Sequence, residues 1–179
     1  MSTMFVNSDD WLHIGIRLVM ALFVGCMIGL NRQKGGRPAG MRTFMLVSMG
    51  SALFVMIPLQ AEGDSPFAAT NALSRTIQGV TTGVGFIGAG LILQEAPRES
   101  GSPKVKGLTT AASVWISAGL GAAIGCGLWQ MALMAGVLTL ITLSGVKRLN
   151  RIIESRSNQK RQANNQDSVN ITSDIDEDF

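Results

Sequence analysis

Residues Gly107–Val146 are forty in a row without one Asp, Glu, Lys or Arg. As a single helix this run would be about 60 Å long, about twice the hydrocarbon core of a bilayer. It must therefore fold back once. Gly125-Cys126-Gly127 is the natural turn, with Trp129 beside it as an interfacial anchor. Two spans result, 107–125 and 128–146. Three apolar runs precede them: Trp11–Leu30, Thr43–Leu59 (closing at Pro58) and Ile77–Leu93. Each is long enough to cross a membrane, the second with help from a snorkelling Arg42. The expected fold is an all-α integral membrane protein, a bundle of about five transmembrane helices. Composition agrees: 15% of residues are charged, against about a quarter in soluble domains.

Residues 1–10 contain no Lys or Arg and carry Asp9 and Asp10. They do not read as the start of a cleaved signal, so the first span is expected to persist. Residues 1–146 then form the transmembrane domain, with spans at about 11–30, 43–59, 77–93, 107–125 and 128–146. Residues 147–179 begin as a basic stem (Lys147, Arg148, Arg151, Arg156, Lys160, Arg161). The remainder is a polar, acidic cytoplasmic tail, expected to be disordered.

Charge orients the bundle. With five spans, one side receives the loop with Arg32, Lys34, Arg37 and Arg42, the loop with Arg98, Lys104 and Lys106, and the basic stem. That side holds thirteen of the fifteen Lys and Arg residues. The other side receives the N-terminus, the acidic loop Gln60–Asn71 and the Gly125–Gly127 turn. The positive-inside rule makes the first side cytoplasmic and the N-terminus external. Arg17 and Arg75 are left near the external side. Both read as structural charges, and Arg17 either snorkels or pairs with Asp9, Asp10, Glu62 or Asp64.

Chemistry is sparse. There is no P-loop, H-E-x-x-H or G-x-S-x-G, and no acid lies inside a span. His13 has no second histidine for a metal site and reads as an interfacial polar group. Cys26 and Cys126 sit in apolar runs and read as small buried hydrophobes. No catalytic residue, cofactor or metal ligand is expected, and no enzyme. The bilayer is an expected partner; nucleic acid is not.

Gly83-Val84-Gly85-Phe86-Ile87-Gly88 matches G-x-G-x-x-G, but a dinucleotide fingerprint needs a βαβ context that is missing. Gly79, Gly83, Gly85, Gly88 and Gly90 instead read as helix-packing positions, or as a broken helix lining a cavity. Thr109, Thr110 and Ser113 recur at helical spacing. They read as donors to the glycine-rich third span, or as the lining of a small polar cavity. Together Arg32, Arg37, Arg42, Lys106, Thr109 and Thr110 mark a candidate cytoplasmic surface.

Three blocks carry a family resemblance. They are Gly29-Leu30-Asn31-Arg32-Gln33 continuing to Gly36-Arg37-Pro38-Ala39-Gly40-Met41-Arg42-Thr43; Gly83-Val84-Gly85-Phe86-Ile87-Gly88-Ala89-Gly90; and Val105-Lys106-Gly107-Leu108-Thr109-Thr110-Ala111-Ala112-Ser113-Val114-Trp115. In order and separation, over residues 12–146, they resemble the MgtC/SapB family of bacterial inner-membrane proteins. The resemblance implies a multi-pass protein of the bacterial plasma membrane, linked in some members to survival at low magnesium, to virulence and to restraint of the ATP synthase. Asn31 stands where the family usually has Glu. The short tail stands where longer members have a soluble domain, so a short form is implied.

The leading functional expectation is a non-enzymatic protein of magnesium or envelope homeostasis that contacts another membrane complex. A second is a small-solute or ion transporter or channel using a glycine-broken third span. A third is a structural homo-oligomer packed through its glycine faces.

Overall fold

In the computed structural model, residues 10–33, 39–61, 66–94 and 107–145 are described. They form five helices: α1 Trp11–Gln33, α2 Met41–Ala61, α3 Pro66–Gln94, α4 Leu108–Gly125 and α5 Trp129–Gly145. No strand occurs among the described residues. The chain divides into two units, 1–140 and 141–179. In the second, only residues 141–145 are described, and they are helical. The first four helices are long and apolar enough to cross a membrane, and α5 is a shorter apolar helix of the same character.

Two helix boundaries differ from the sequence reading. α2 does not close at Pro58 but continues to Ala61 with Pro58 inside it. A proline near a helix end removes one backbone bond, which spanning helices tolerate. α3 begins at Pro66 rather than Ile77, so Pro66–Asn71 are not loop. Proline is preorganised for the first helical position. Alanines at 68, 69 and 72 favour the helix, and Ala69 and Leu73 bury one face of this added stretch.

The first four helices alternate in direction. Gly25 faces Phe44 and Met45, and Gly29 faces Met41, so α1 and α2 are antiparallel. Ser117 Oγ donates to the Phe44 carbonyl at 3.2 Å, Gly121 lies on Ser48 and Gly125 on Ala52, so α2 and α4 are parallel. Gly88 meets Ala111, while Leu73 shares a buried cluster with Val55, Leu59, Ala122 and Cys126. α3 is thus antiparallel to α4. α4 touches α1, α2 and α3, and α2 touches α1, α3 and α4, so these two helices together form the centre of the bundle. The turn after it carries Gly127 at φ 79°, a left-handed conformation glycine adopts without strain.

The interior is unusual for its hydroxyls. Ser48, Ser51, Thr110, Ser113 and Ser117 are buried, with Arg32. Outside, Phe23, Phe86, Met134 and Leu138 are exposed. Small and hydroxyl residues inside with large apolar ones outside is the distribution of a helix bundle in lipid, where contact is driven by close packing and hydrogen bonding. Ser51 Oγ donates to the Val47 carbonyl at 2.8 Å and Ser113 Oγ to the Thr109 carbonyl at 2.6 Å. Both hydroxyls are satisfied within their own helix.

Candidate functional site

The candidate surface lies where the end of α1 and the starts of α2 and α4 meet. Gly29 has no Cβ, and one placed there would stand 2.5 Å from the Met41 Cα. That contact holds the α1 end against the α2 start. Ala39 is buried, and the Gly40 carbonyl accepts from the Thr43 amide at 3.1 Å. Gly107 precedes α4 at φ 91° with no side-chain cap, and its carbonyl accepts from the Ala111 amide at 2.9 Å.

Arg32 joins α1 to α4. Its side chain is 4% exposed, Thr110 is 1% exposed, and Arg32 Nη2 donates to Thr110 Oγ1 at 2.5 Å. A bond from a guanidinium to a buried hydroxyl is charge-assisted and stronger than a neutral pair. The cation also sits in the last turn of α1, where the helix dipole favours it. Arg42 and Thr109 are exposed. They flank Met41 and Thr110, so they occupy the same end of the bundle. Arg37 and Lys106 lie outside the described residues. Of the six candidates, the structure pairs Arg32 with Thr110 inside and leaves Arg42 and Thr109 outside.

The hydroxyls of α4 do not bond to the third span as the sequence suggested. Thr110 faces α1, Ser113 bonds within α4 and Thr109 is exposed. The face of α4 carrying Thr110, Ser113 and Ser117 is turned to α1 and α2, where Thr110 meets Arg32 and Ser117 meets the Phe44 carbonyl.

Nor is the third span broken. α3 runs unbroken from Pro66 to Gln94, which overturns the broken-helix reading: its interior amides and carbonyls stay in the helix. Of Gly79, Gly83, Gly85, Gly88 and Gly90, Gly88 meets the Ala111 side chain, and the other four have nothing within 4 Å of a built Cβ. Gly79 and Gly83 line an open, largely apolar groove of about 640 Å³ between α2 and α3, with Leu46, Phe54 and Ile87. The close approaches within the chain are made by Gly25, Gly29, Gly121 and Gly125. Gly25 and Gly29 stand out in the sequence by their spacing of four. Gly121 and Gly125 have that spacing too, but the turn at Gly125 masks it.

At the opposite end of the bundle, Arg17 Nη1 donates to the Gly125 carbonyl at 2.7 Å. A cation at the last carbonyls of α4 satisfies an acceptor that the helix leaves open. Of the four acids weighed as its partners, Asp9, Glu62 and Asp64 lie outside the described residues, and Asp10 does not pair with it. The Asp10 carboxylate instead lies 2.5 Å from His13 Nδ1, and that hydrogen bond holds it below the usual carboxylate range. Arg75 is exposed on α3.

A five-helix membrane bundle whose first four helices alternate in direction, with a buried arginine joining the first and fourth, is the class defined by this geometry. The profile of the MgtC family matches residues 18–152, and the chain belongs to that family. It is 64% identical over 163 residues to protein SrpB of Synechococcus elongatus, covering 90% of each chain. It is 40% identical over 130 residues to YhiD of Escherichia coli K12, which carries a provisional name as a magnesium transporter; the match covers 72% of this chain and 58% of YhiD. It is 34% identical over 150 residues to protein MgtC of Salmonella typhimurium, covering 82% of this chain and 59% of MgtC. The chain thus spans nine-tenths of SrpB but under three-fifths of YhiD and MgtC. No solved structure matches it.

Proposed function

We propose that this protein is a non-enzymatic component of the bacterial inner membrane that serves magnesium or envelope homeostasis by contacting another membrane complex. The supporting observation is the end of the bundle where Arg32–Thr110 and Gly29–Met41 fix three helix ends. Arg42 and Thr109 are exposed on that fixed support. A rigid platform bearing an exposed cation suits an acidic partner surface. The alternation of helices puts the loop before α2 and the loop before α4 at this same end. Their bases, with the positive-inside rule, orient it to the cytoplasm and the N-terminus outward. The name carried by YhiD and the low-magnesium phenotype implied by the family resemblance supply the magnesium link. The ATP synthase is the first complex to test, on that resemblance. Transport through a broken third span is not carried forward, because α3 is continuous.

Growth under magnesium limitation tests the reading. A deletion strain is expected to grow poorly and to be restored by the full chain, while Arg42→Gln accumulates normally and restores little. Unimpaired growth and an unchanged membrane potential in the deletion strain would remove the proposal.

A further inference from the structure

α3 presents a seam that lipid does not suit. Asn71, Arg75, Gln78, Thr82, Gly85 and Ala89 follow one another at intervals of four, three, four, three and four, and all six are exposed. Alternating three- and four-residue steps trace a single stripe along a helix, the pattern by which two helices pack in a left-handed pair. The stripe is polar in its first half and small in its second. Phe67, Phe86 and Leu93 are exposed around it.

The polar members of the seam are unsatisfied, while their neighbours are not. Thr76 Oγ1 donates to the Ala72 carbonyl at 2.9 Å and Thr81 Oγ1 to the Ile77 carbonyl at 2.8 Å. Those two threonines lie off the seam and are satisfied within α3. Gln78 and Thr82, on the seam, make no side-chain hydrogen bond among the described residues. Both lie within the apolar stretch Ile77–Leu93, where an unbonded amide or hydroxyl facing hydrocarbon is costly.

We infer that this face of α3 is the interface between two copies of the chain, packed in parallel about a two-fold axis along the membrane normal. Every copy inserts in the same orientation, so two α3 helices meet in parallel and each seam residue faces its own counterpart. The seam is self-complementary in that arrangement. A glutamine amide both donates and accepts, so Gln78 pairs with Gln78 of the second copy, and the Thr82 hydroxyls do the same. Gly85 and Ala89 then let the backbones approach, and a Cβ at Gly85 has nothing within 4 Å in its own chain. Arg75 precedes the apolar stretch, and its long stem carries the guanidinium outward to water, away from its like-charged counterpart. A polar pair inside an apolar seam also fixes register. The interface leaves the Arg42 and Thr109 surface uncovered on the first, second and fourth helices.

Single cysteines in the full chain, with Cys26 and Cys126 replaced by serine and alanine, test this in native membranes. On mild oxidation Gln78→Cys and Thr82→Cys are expected to give a species of twice the chain mass. Its yield should exceed by about tenfold that from Thr81→Cys on the flank of α3 and Phe23→Cys on α1. Adding Gly85→Leu to Gln78→Cys should cut the dimer by about tenfold at an unchanged monomer level, because the leucine has free space in its own chain. Equal yields at all four positions, reactive thiols at 78 and 82 that give no dimer, or an adduct with a different protein at those positions would each overturn the inference.

Discussion

Gly121→Leu leaves no folded protein in the membrane, whereas Gly15→Leu accumulates as the parent does. The two substitutions add the same side chain to two spanning helices. They differ in what the chain places opposite. A Cβ at Gly121 overlaps the Ser48 carbonyl oxygen and lies 2.6 Å from its carbon, while at Gly15 nothing stands within 4 Å. The obstruction at Gly121 is backbone, so no rotamer change relieves it, and α2 and α4 must move apart. Separation also breaks the bond from Ser117 to the Phe44 carbonyl and uncovers Val55 and Ala52 beside Gly125. Overpacking typically costs about 1–3 kcal/mol; Gly121→Ala should fall in that range and Gly121→Leu beyond it. The amount of folded protein in the membrane separates the two leucine variants, and thermal melting of the detergent-solubilised protein separates Gly121→Ala from the parent. A leucine variant at position 121 that melts with the parent would show that α2 and α4 do not pack this way.

Thr110→Val is the second large effect. The substitution keeps the shape of the side chain and removes the acceptor for Arg32 Nη2. Both residues are almost fully enclosed, so water cannot replace the lost hydroxyl without opening the junction. Hydrogen bonds to charged groups contribute about 1.5–3 kcal/mol, and a loss of that order is expected in a denaturant titration in detergent. Thr110→Ser retains the oxygen and should lose much less. If valine and serine at position 110 prove equally stable, Arg32 does not depend on this hydroxyl and the junction is held otherwise.

The fold was legible where physics acts on runs of residues. Forty uncharged residues cannot stay in one helix, so length requires a turn, and the glycines beside Cys126 place it. Membrane class and number of helices were readable for the same reason. Contacts between helices were not, because several helix faces offer small residues and the sequence does not say which face meets which. α3 has the most conspicuous glycines, yet Gly79, Gly83, Gly85 and Gly90 meet nothing in their own chain. The quieter Gly121 makes the closest approach, and Gly125 comes as near to its neighbour as Gly25 and Gly29 do. Arg17 shows the same limit. An arginine inside a span invites a search for an acid, and the carbonyl that a helix end also offers it has no signature in composition. At the candidate site, Arg32, Arg42, Thr109 and Thr110 were all marked in the sequence. Their division into a buried pair and an exposed pair depends on tertiary packing, because spacing along α4 does not tell which of two adjacent threonines turns inward.

A photoreactive residue at Thr109, in cells limited for magnesium, addresses the proposed contact surface most directly. Thr109 is exposed beside the buried Thr110, so the substitution leaves the Arg32 bond in place. Irradiation is expected to give one discrete adduct with another membrane protein, absent when the same residue is placed at the lipid-facing Phe23. A Thr109 variant that fully restores growth at low magnesium yet yields no such adduct would contradict the proposal that this end of the bundle acts by contact.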